Sequence, residues 1–319
     1  MIHKKHIIIY LIGVFVVFGN ACTQNTSSVF YKVKNPEKIT KMATGFFNPK
    51  FSPDGKMILF TGINNNGLYL YDIKKDKQTT VTTVKGTGSD AGFTADSKMI
   101  FYVTKTFTTF RSRSNLILQR VVSSDRKVVT SNIRKLKVIH SFFGPDNNIL
   151  VFSENDEIKQ YNLTTEKTQS SSAELVLAFS NDDLNLTTVQ NGKMNALKPK
   201  GSGDYLWVSV SPDTRRILFS ISGKACYSCD LNGGGLIEYG RLHAPVWSPS
   251  GKFVIGMNDY DNGESYTKSD IVMYTADGKN SKILTSKTDI IALFPTISPD
   301  EKMIVFNDES GVVYKMNIQ

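Results

Sequence analysis

Histidine and cysteine are scarce in this chain, with four histidines and three cysteines among 319 residues. His3, His6 and Cys22 fall near the start, which leaves His140, His243, Cys226 and Cys229 for the body of the protein. That supply excludes a multi-histidine metal centre and a disulfide framework within one copy of the chain. Long apolar runs are also missing. The twelve mostly apolar residues from Ile7 to Phe18 would cover only about 18 Å as a helix, short of a hydrocarbon core of about 30 Å. There is no block of one charge sign. The formal charge of +9 comes from basic residues interspersed with acidic ones, as in "TEKTQ", which is a solvated surface and gives no reason to expect a nucleic-acid partner. No G-x-S-x-G elbow occurs, since "GTGSDAG" misses the spacing by one residue.

What the chain has in abundance is one ten-residue phrase. "FSPDGKMILF" at Phe51 returns as "FTADSKMIFY" at Phe93, "FGPDNNILVF" at Phe143, "VSPDTRRILF" at Val210, "WSPSGKFVIG" at Trp247 and "ISPDEKMIVF" at Ile297. A weaker copy, "FSNDDLNLTTV", starts at Phe179. Anchored on Pro53, Ala95, Pro145, Asn181, Pro212, Pro249 and Pro299, the copies lie about 41 residues apart, a period that marks solenoids and propellers. Two columns hold throughout: the residue two before the anchor and the residue five after it are apolar in every copy.

Each copy reads as a small antiparallel sheet. Proline presets φ for a tight turn, aspartate bonds its own backbone, and glycine takes the left-handed conformation. "KMILF" is too continuously apolar for a strand with one wet face, so both faces of the sheet should be covered. A second hairpin follows in "GINNNGLYLYDI", with Asn66 and Gly67 expected to supply the positive φ values, and then the polar edge strand "KQTTVTT". Four strands in such a repeat make one propeller blade, and a blade alone cannot bury both faces. The fold class is therefore all-β, a single propeller of four-stranded antiparallel blades. Seven blades are favoured, with six the alternative if the short Asn181 copy is padding. The last copy stops at its third strand, "GVVYKMNIQ", and "EKITKM" near the N-terminus is expected to supply the fourth and close the ring.

The phrase resembles the TolB-type propeller repeat, an aromatic residue followed by Ser-Pro-Asp-Gly and later a strand of the kind matched here by "LYLYDI", "IKQYNL", "CYSCDL" and "VYKMNI". The resemblance implies the fold more firmly than the activity, because such propellers include envelope binding proteins, gating domains of serine peptidases and polysaccharide lyases. The start of the chain, Lys4 and Lys5, an apolar stretch and "GNAC", is similar to a bacterial lipoprotein signal, with Gly19 in place of the usual aliphatic residue. Residues 1–21 are then a signal peptide, Cys22 the lipidation site, 22–28 a polar tether and 29–319 the propeller. Ordinary signal cleavage and an uncleaved leader remain the alternatives. The resemblance implies an exported, lipid-anchored protein, in the outer membrane, facing the periplasm or the exterior.

Two motifs invite chemistry. "CYSC", Cys226 to Cys229, falls within an expected strand, where residues three apart point to opposite faces, so core thiols rather than a redox pair are expected. "NDYDNGES", Asn258 to Ser265, hints at a calcium loop, but its glycine is out of register and no closing glutamate follows, so a polar hairpin loop is expected. The remaining candidates are the residues that lead into each innermost strand and should ring one mouth of the channel: Asn48, Ser89, Asp90, His140, Trp207, His243 and Phe294, with Arg241 nearby. Aromatic surface and mixed polar groups suit a peptide or a glycan, although the same residues could merely plug the pore. The expectation is a monomeric, non-enzymatic module that binds an envelope protein or peptide, with no cofactor or metal. An extracellular glycan sensor or glycan-active enzyme using the same rim is the alternative.

Overall fold

The computed structural model describes residues 30–39, 45–109, 111–142, 149–170 and 175–319, and Lys32–Gln319 forms a compact unit. Cys22, the leader, the tether, residues 40–42 of "EKITKM" and the Pro145 turn lie outside the described residues. Seven antiparallel sheets follow one another around a ring. The first blade runs through Phe46–Phe51, Met57–Gly62, Leu68–Asp72 and Lys77–Thr82, and the second through Gly92–Phe93, Met99–Phe107, Ser112–Arg120 and Arg126–Ile133. The third comprises Leu136–Phe142, Ile149–Glu154, Glu157–Asn162 and Lys167–Ser170. The fifth and sixth begin at Tyr205–Val210 and His243–Trp247.

The fourth blade departs from the expected four strands. Among the described residues it has three, Leu177–Ser180, Leu186–Gln190 and Lys193–Leu197, because "KPKGSGD" follows the third strand and turns straight into the fifth blade. The seventh blade closes as expected. Leu293–Ile297, Met303–Asn307 and Val313–Asn317 are completed by Glu37–Lys38, which pairs antiparallel with the third strand through Glu37↔Lys315 and Lys38↔Tyr314. The backbone N–H of Ile39 donates to Val313 at 2.9 Å and that of Lys34 to Asn317 at 2.9 Å, and Lys32 and Gln319 exchange bonds.

The core sits between blades. Leu59, Leu68 and Leu70 of the first blade pack with Phe93, Ile100 and Tyr102 of the second, and Phe101 and Leu116 of the second with Leu150 and Phe152 of the third. Val305 and Val313 of the seventh meet Phe46, Ile58 and Phe60 of the first, with Ile39 from the closing segment among them. Each fully buried Phe or Leu here contributes about 1.5–3 kcal/mol. Cys226 and Cys229 are both buried and belong to different clusters, one facing the sixth blade and the other the fourth, as their spacing on a strand requires.

The repeated phrase builds one turn. The Ser52 hydroxyl donates to Asp54 at 2.7 Å and accepts the Met57 N–H at 3.0 Å, while Gly55 N–H closes onto the Ser52 carbonyl at 2.8 Å. Thr94 with Asp96, Ser211 with Asp213 and Ser298 with Asp300 repeat the bond at 2.6 Å. In the fourth blade Asn181 takes the place of the serine, accepting from Asp183 and Asn185, and the turn is shorter. Ser180 rather than Phe179 therefore pairs with Leu186, one position off the expected column. In the first blade the second hairpin has a longer connection than the expected two-residue loop, with a 3-10 turn at Ile63–Asn65: Asn64, Asn65 and Gly67 carry the positive φ values, and Asn66 does not.

Candidate functional site

The innermost strands share a defect at the same height. In the first blade Phe47 pairs with Thr61 and Lys50 with Leu59, so Asn48 and Pro49 together oppose one residue. The fifth, sixth and seventh blades repeat this with Trp207–Val208, Ala244–Pro245 and Phe294–Pro295. Each bulge opens with a residue at positive φ: Asn48 at 52°, Trp207 at 51°, Ala244 at 44° and Phe294 at 51°. Glycine usually takes this position, and bulky residues held there are strained, a state that clusters at binding and catalytic sites.

The bulge takes the N–H of its first residue out of the ladder, and neighbouring blades supply acceptors. Asn48 N–H donates to Oδ1 of Asn307 at 3.1 Å, across the ring closure, and Phe294 N–H donates to Met257 Sδ at 3.3 Å. Asn48 also reaches Oδ1 of Asn65 at 3.4 Å through its side-chain amide. The acceptors Asn307 and Met257 stand eight residues after Pro299 and Pro249, so the repeat places them alike.

Around the fifth and sixth blades the rim residues join into one cluster. The Trp207 indole, 39% exposed, lies against the His243 ring with centroids 5.5 Å apart. His243 Nδ1 bonds Asp259 Oδ1 at 2.7 Å, and Asp259 is 3% exposed. A buried carboxylate on Nδ1 fixes the ring and leaves Nε2 as the nitrogen that can meet a ligand. Arg241 stacks on Tyr260, 4.6 Å from its centroid. His243 pairs with Met257, and the two-residue period of the strand puts Asp259 on the same face.

On the other side of the mouth, Asp90 is drawn toward protonation by desolvation, against the pull of Lys137, Lys50 and Lys105. Lys50 donates to the Ala91 carbonyl at 2.8 Å; surrounding protein desolvates its ammonium and lowers its pKa, an effect that the charge of Asp90 opposes. Ser89 is exposed beside them. His140 does not stand where its distance from Pro145 predicts. It pairs with Val151, the height Lys50 holds against Leu59, because the connection from His140 to Val151 is two residues longer than that from Lys50 to Leu59.

Asp259, Met257, Asn307 and Tyr260 are participants that the sequence reading missed. Asp259 and Tyr260 were in view within "NDYDNGES", whose centre is the hairpin loop between Phe253–Asp261 and Tyr266–Thr275, with Asn262 N–H bonded to the Ser265 carbonyl at 3.2 Å. The signal that would have found Asp259 is alternation along the strand from Met257.

No protein-family model matches the sequence, and no curated protein matches it. Solved structures do. An oligogalacturonate lyase from Vibrio parahaemolyticus matches with a TM-score of 0.56 and 12% identity, over 90% of this chain and 96% of the lyase. A TolB-like protein from Agrobacterium tumefaciens matches at 0.55 and 17%, over 88% and 92%, and TolB from Acinetobacter baumannii at 0.50 and 14%, over 89% and 60%. The chain has the TolB-like propeller fold. The expectation of a non-enzymatic protein is corrected here, because a lyase carries this fold over nearly its whole length and the missing serine elbow speaks only to one chemistry.

Proposed function

We propose that the protein captures a peptide segment of a cell-envelope partner at the mouth of its channel, from a lipid anchor at Cys22. The observation that carries this reading is the Trp207–His243–Asp259 cluster: a half-open indole held in a strained bulge, packed at a tilt against a histidine that a buried carboxylate fixes. Flat aromatic surface gives contact at little entropic cost, and Nε2 of His243 and the neighbouring Arg241 give orientation. Asn48, Asp90, His140 and Phe294 complete the rim in this reading. The similarity to TolB proteins supports it.

The test compares what the wild type and the Trp207→Ala/His243→Ala double variant retain from a native envelope extract. The expected result is loss of the captured partner in the variant, with a native circular dichroism spectrum and a melting temperature lower by only a few degrees, the cost of leaving the Asp259 carboxylate without its bond to His243. Equal capture by both proteins would dismiss the rim. A second reading, an extracellular glycan bound or cleaved at the same mouth, is favoured by the likeness to the lyase. Release of unsaturated products from polygalacturonate, abolished by the same two substitutions, would decide for it.

A further inference from the structure

The mouth is divided by charge. The second strand of each blade runs back from the Ser-Pro-Asp-Gly turn toward the mouth, so the hairpins joining second and third strands stand on the same face as the rim. Two of these hairpins are long. That of the sixth blade carries Asp259, Asp261 and Glu264, and the short one of the third blade Glu154, Asp156 and Glu157, whereas that of the second blade, Met99–Phe107 with Ser112–Arg120, has no acidic residue between Ser97 and Ser124. It carries Lys105, Arg111 and Arg113, and Phe107 near its tip is 76% exposed.

Beneath this basic hairpin the channel wall adds two more cations. Lys50 bonds the Ala91 carbonyl at 2.8 Å, and Lys137 donates to the Ser180 carbonyl. Among the described residues neither forms an ion pair, and the charges of both, with that of Lys105, reach Asp90. Three ammonium groups against Asp90, whose carboxyl also feels the charge of Asp182, repel one another in a partly desolvated channel, and an incoming anion relieves that repulsion.

We infer that the segment captured at the rim is acidic, with its carboxylates lying along the first two blades against Lys50, Lys105 and Arg111, its backbone over the channel, and an apolar residue against Phe107. This assignment rests on the peptide reading given above and adds the class of partner. Among the described residues each innermost strand is the edge of its sheet, with no further strand paired on its channel side, which suits an extended peptide backbone.

The probes are a short fluorescein-labelled peptide of glutamate and glycine with one tyrosine, its lysine-for-glutamate counterpart, and polygalacturonate as competitor. Fluorescence polarisation of the wild-type protein should favour the acidic peptide by about tenfold or more, with affinity falling as salt rises. Lys105→Gln/Arg111→Gln, both on an exposed hairpin, should erase that preference. Equal binding of the two peptides, or binding of neither, would overturn the assignment. So would polygalacturonate displacing the acidic peptide at much lower charge concentration, since the ligand would then be a glycan. Should the charge variant lose the acidic peptide while Trp207→Ala/His243→Ala keeps it, the acidic preference stands and the aromatic rim reading fails. The reverse pattern rejects the acidic preference and leaves the rim.

Discussion

Left-handed backbone at a side chain costs an L-residue about 1–2 kcal/mol, and this ring uses that geometry for two different ends. In the repeated turn it is incidental. Gly55 and Gly251 take it freely at φ 71° and 69°, while Thr214 occupies the same place at 59° with a branched, exposed side chain. Thr214→Gly should therefore stabilise the fold by about 1 kcal/mol and raise the melting temperature by about 2 °C. Thermal unfolding followed by circular dichroism measures it, and a fall would mean that the threonine makes contacts that outweigh its strain. At the rim the same conformation aims Trp207 and Phe294 at the mouth level, where the turn copies supply no glycine. The turn was legible in the sequence because Pro, Asp and Gly announce their φ preferences. The bulge was not, because tryptophan, alanine and phenylalanine give no local sign of a left-handed backbone.

Strands were legible wherever apolar columns repeated, and their registers were not. Phe179 and His140 each stand off the height that counting from the anchor gives, because the fourth turn is shorter and the connection after His140 is longer. A count along the chain cannot see how many residues a turn consumes. The strand Cys226–Asp230 shows what the reading did capture, two thiols buried on opposite faces. Burial raises Cys226 from 9.0 to about 12 and Cys229 to about 11. The unfolded chain releases these protons from about pH 9 upward while the folded chain retains them. Their contribution to stability is thus whole below pH 9 and is lost as the pH climbs through the folded values, at up to about 1.4 kcal/mol per pH unit for each thiol. Tyr239, also raised to about 12 by burial, acts in the same direction. Urea unfolding across this alkaline window should show a shallower decline for Cys226→Ala/Cys229→Ala than for the wild type. Parallel slopes would mean that the thiols already meet water in the native ring.

At the scale of the whole molecule, seven copies imply a ring because every sheet needs a neighbour on each face, and a ring must be closed by something other than the next repeat. The chain closes it with residues 32–39. Lys32, Lys34 and Ile39 hydrogen-bond Gln319, Asn317 and Val313, and the Ile39 side chain enters the cluster that joins the last blade to the first. Removing this segment strips the outer strand from the seventh blade and opens the Val305, Val313 and Phe46 cluster to water. Ordering eight residues offsets part of what the strand contributes, since each costs about 1–2 kcal/mol in backbone entropy. The hydrogen bonds and the burial of Ile39 also hold two distant parts of the chain together, and so they govern whether the other six interfaces open from one end. Deletion of residues 32–39 should lower the melting temperature by about 5–10 °C. It should also make unfolding less cooperative, because an open array frays from its exposed blade whereas a closed ring has no terminal repeat. Ile39→Asp, which keeps the segment but buries a charge at the seam, should act in the same direction. Differential scanning calorimetry reads both effects, and an unchanged, equally sharp transition in the deleted protein would show that the ring holds without its closing strand.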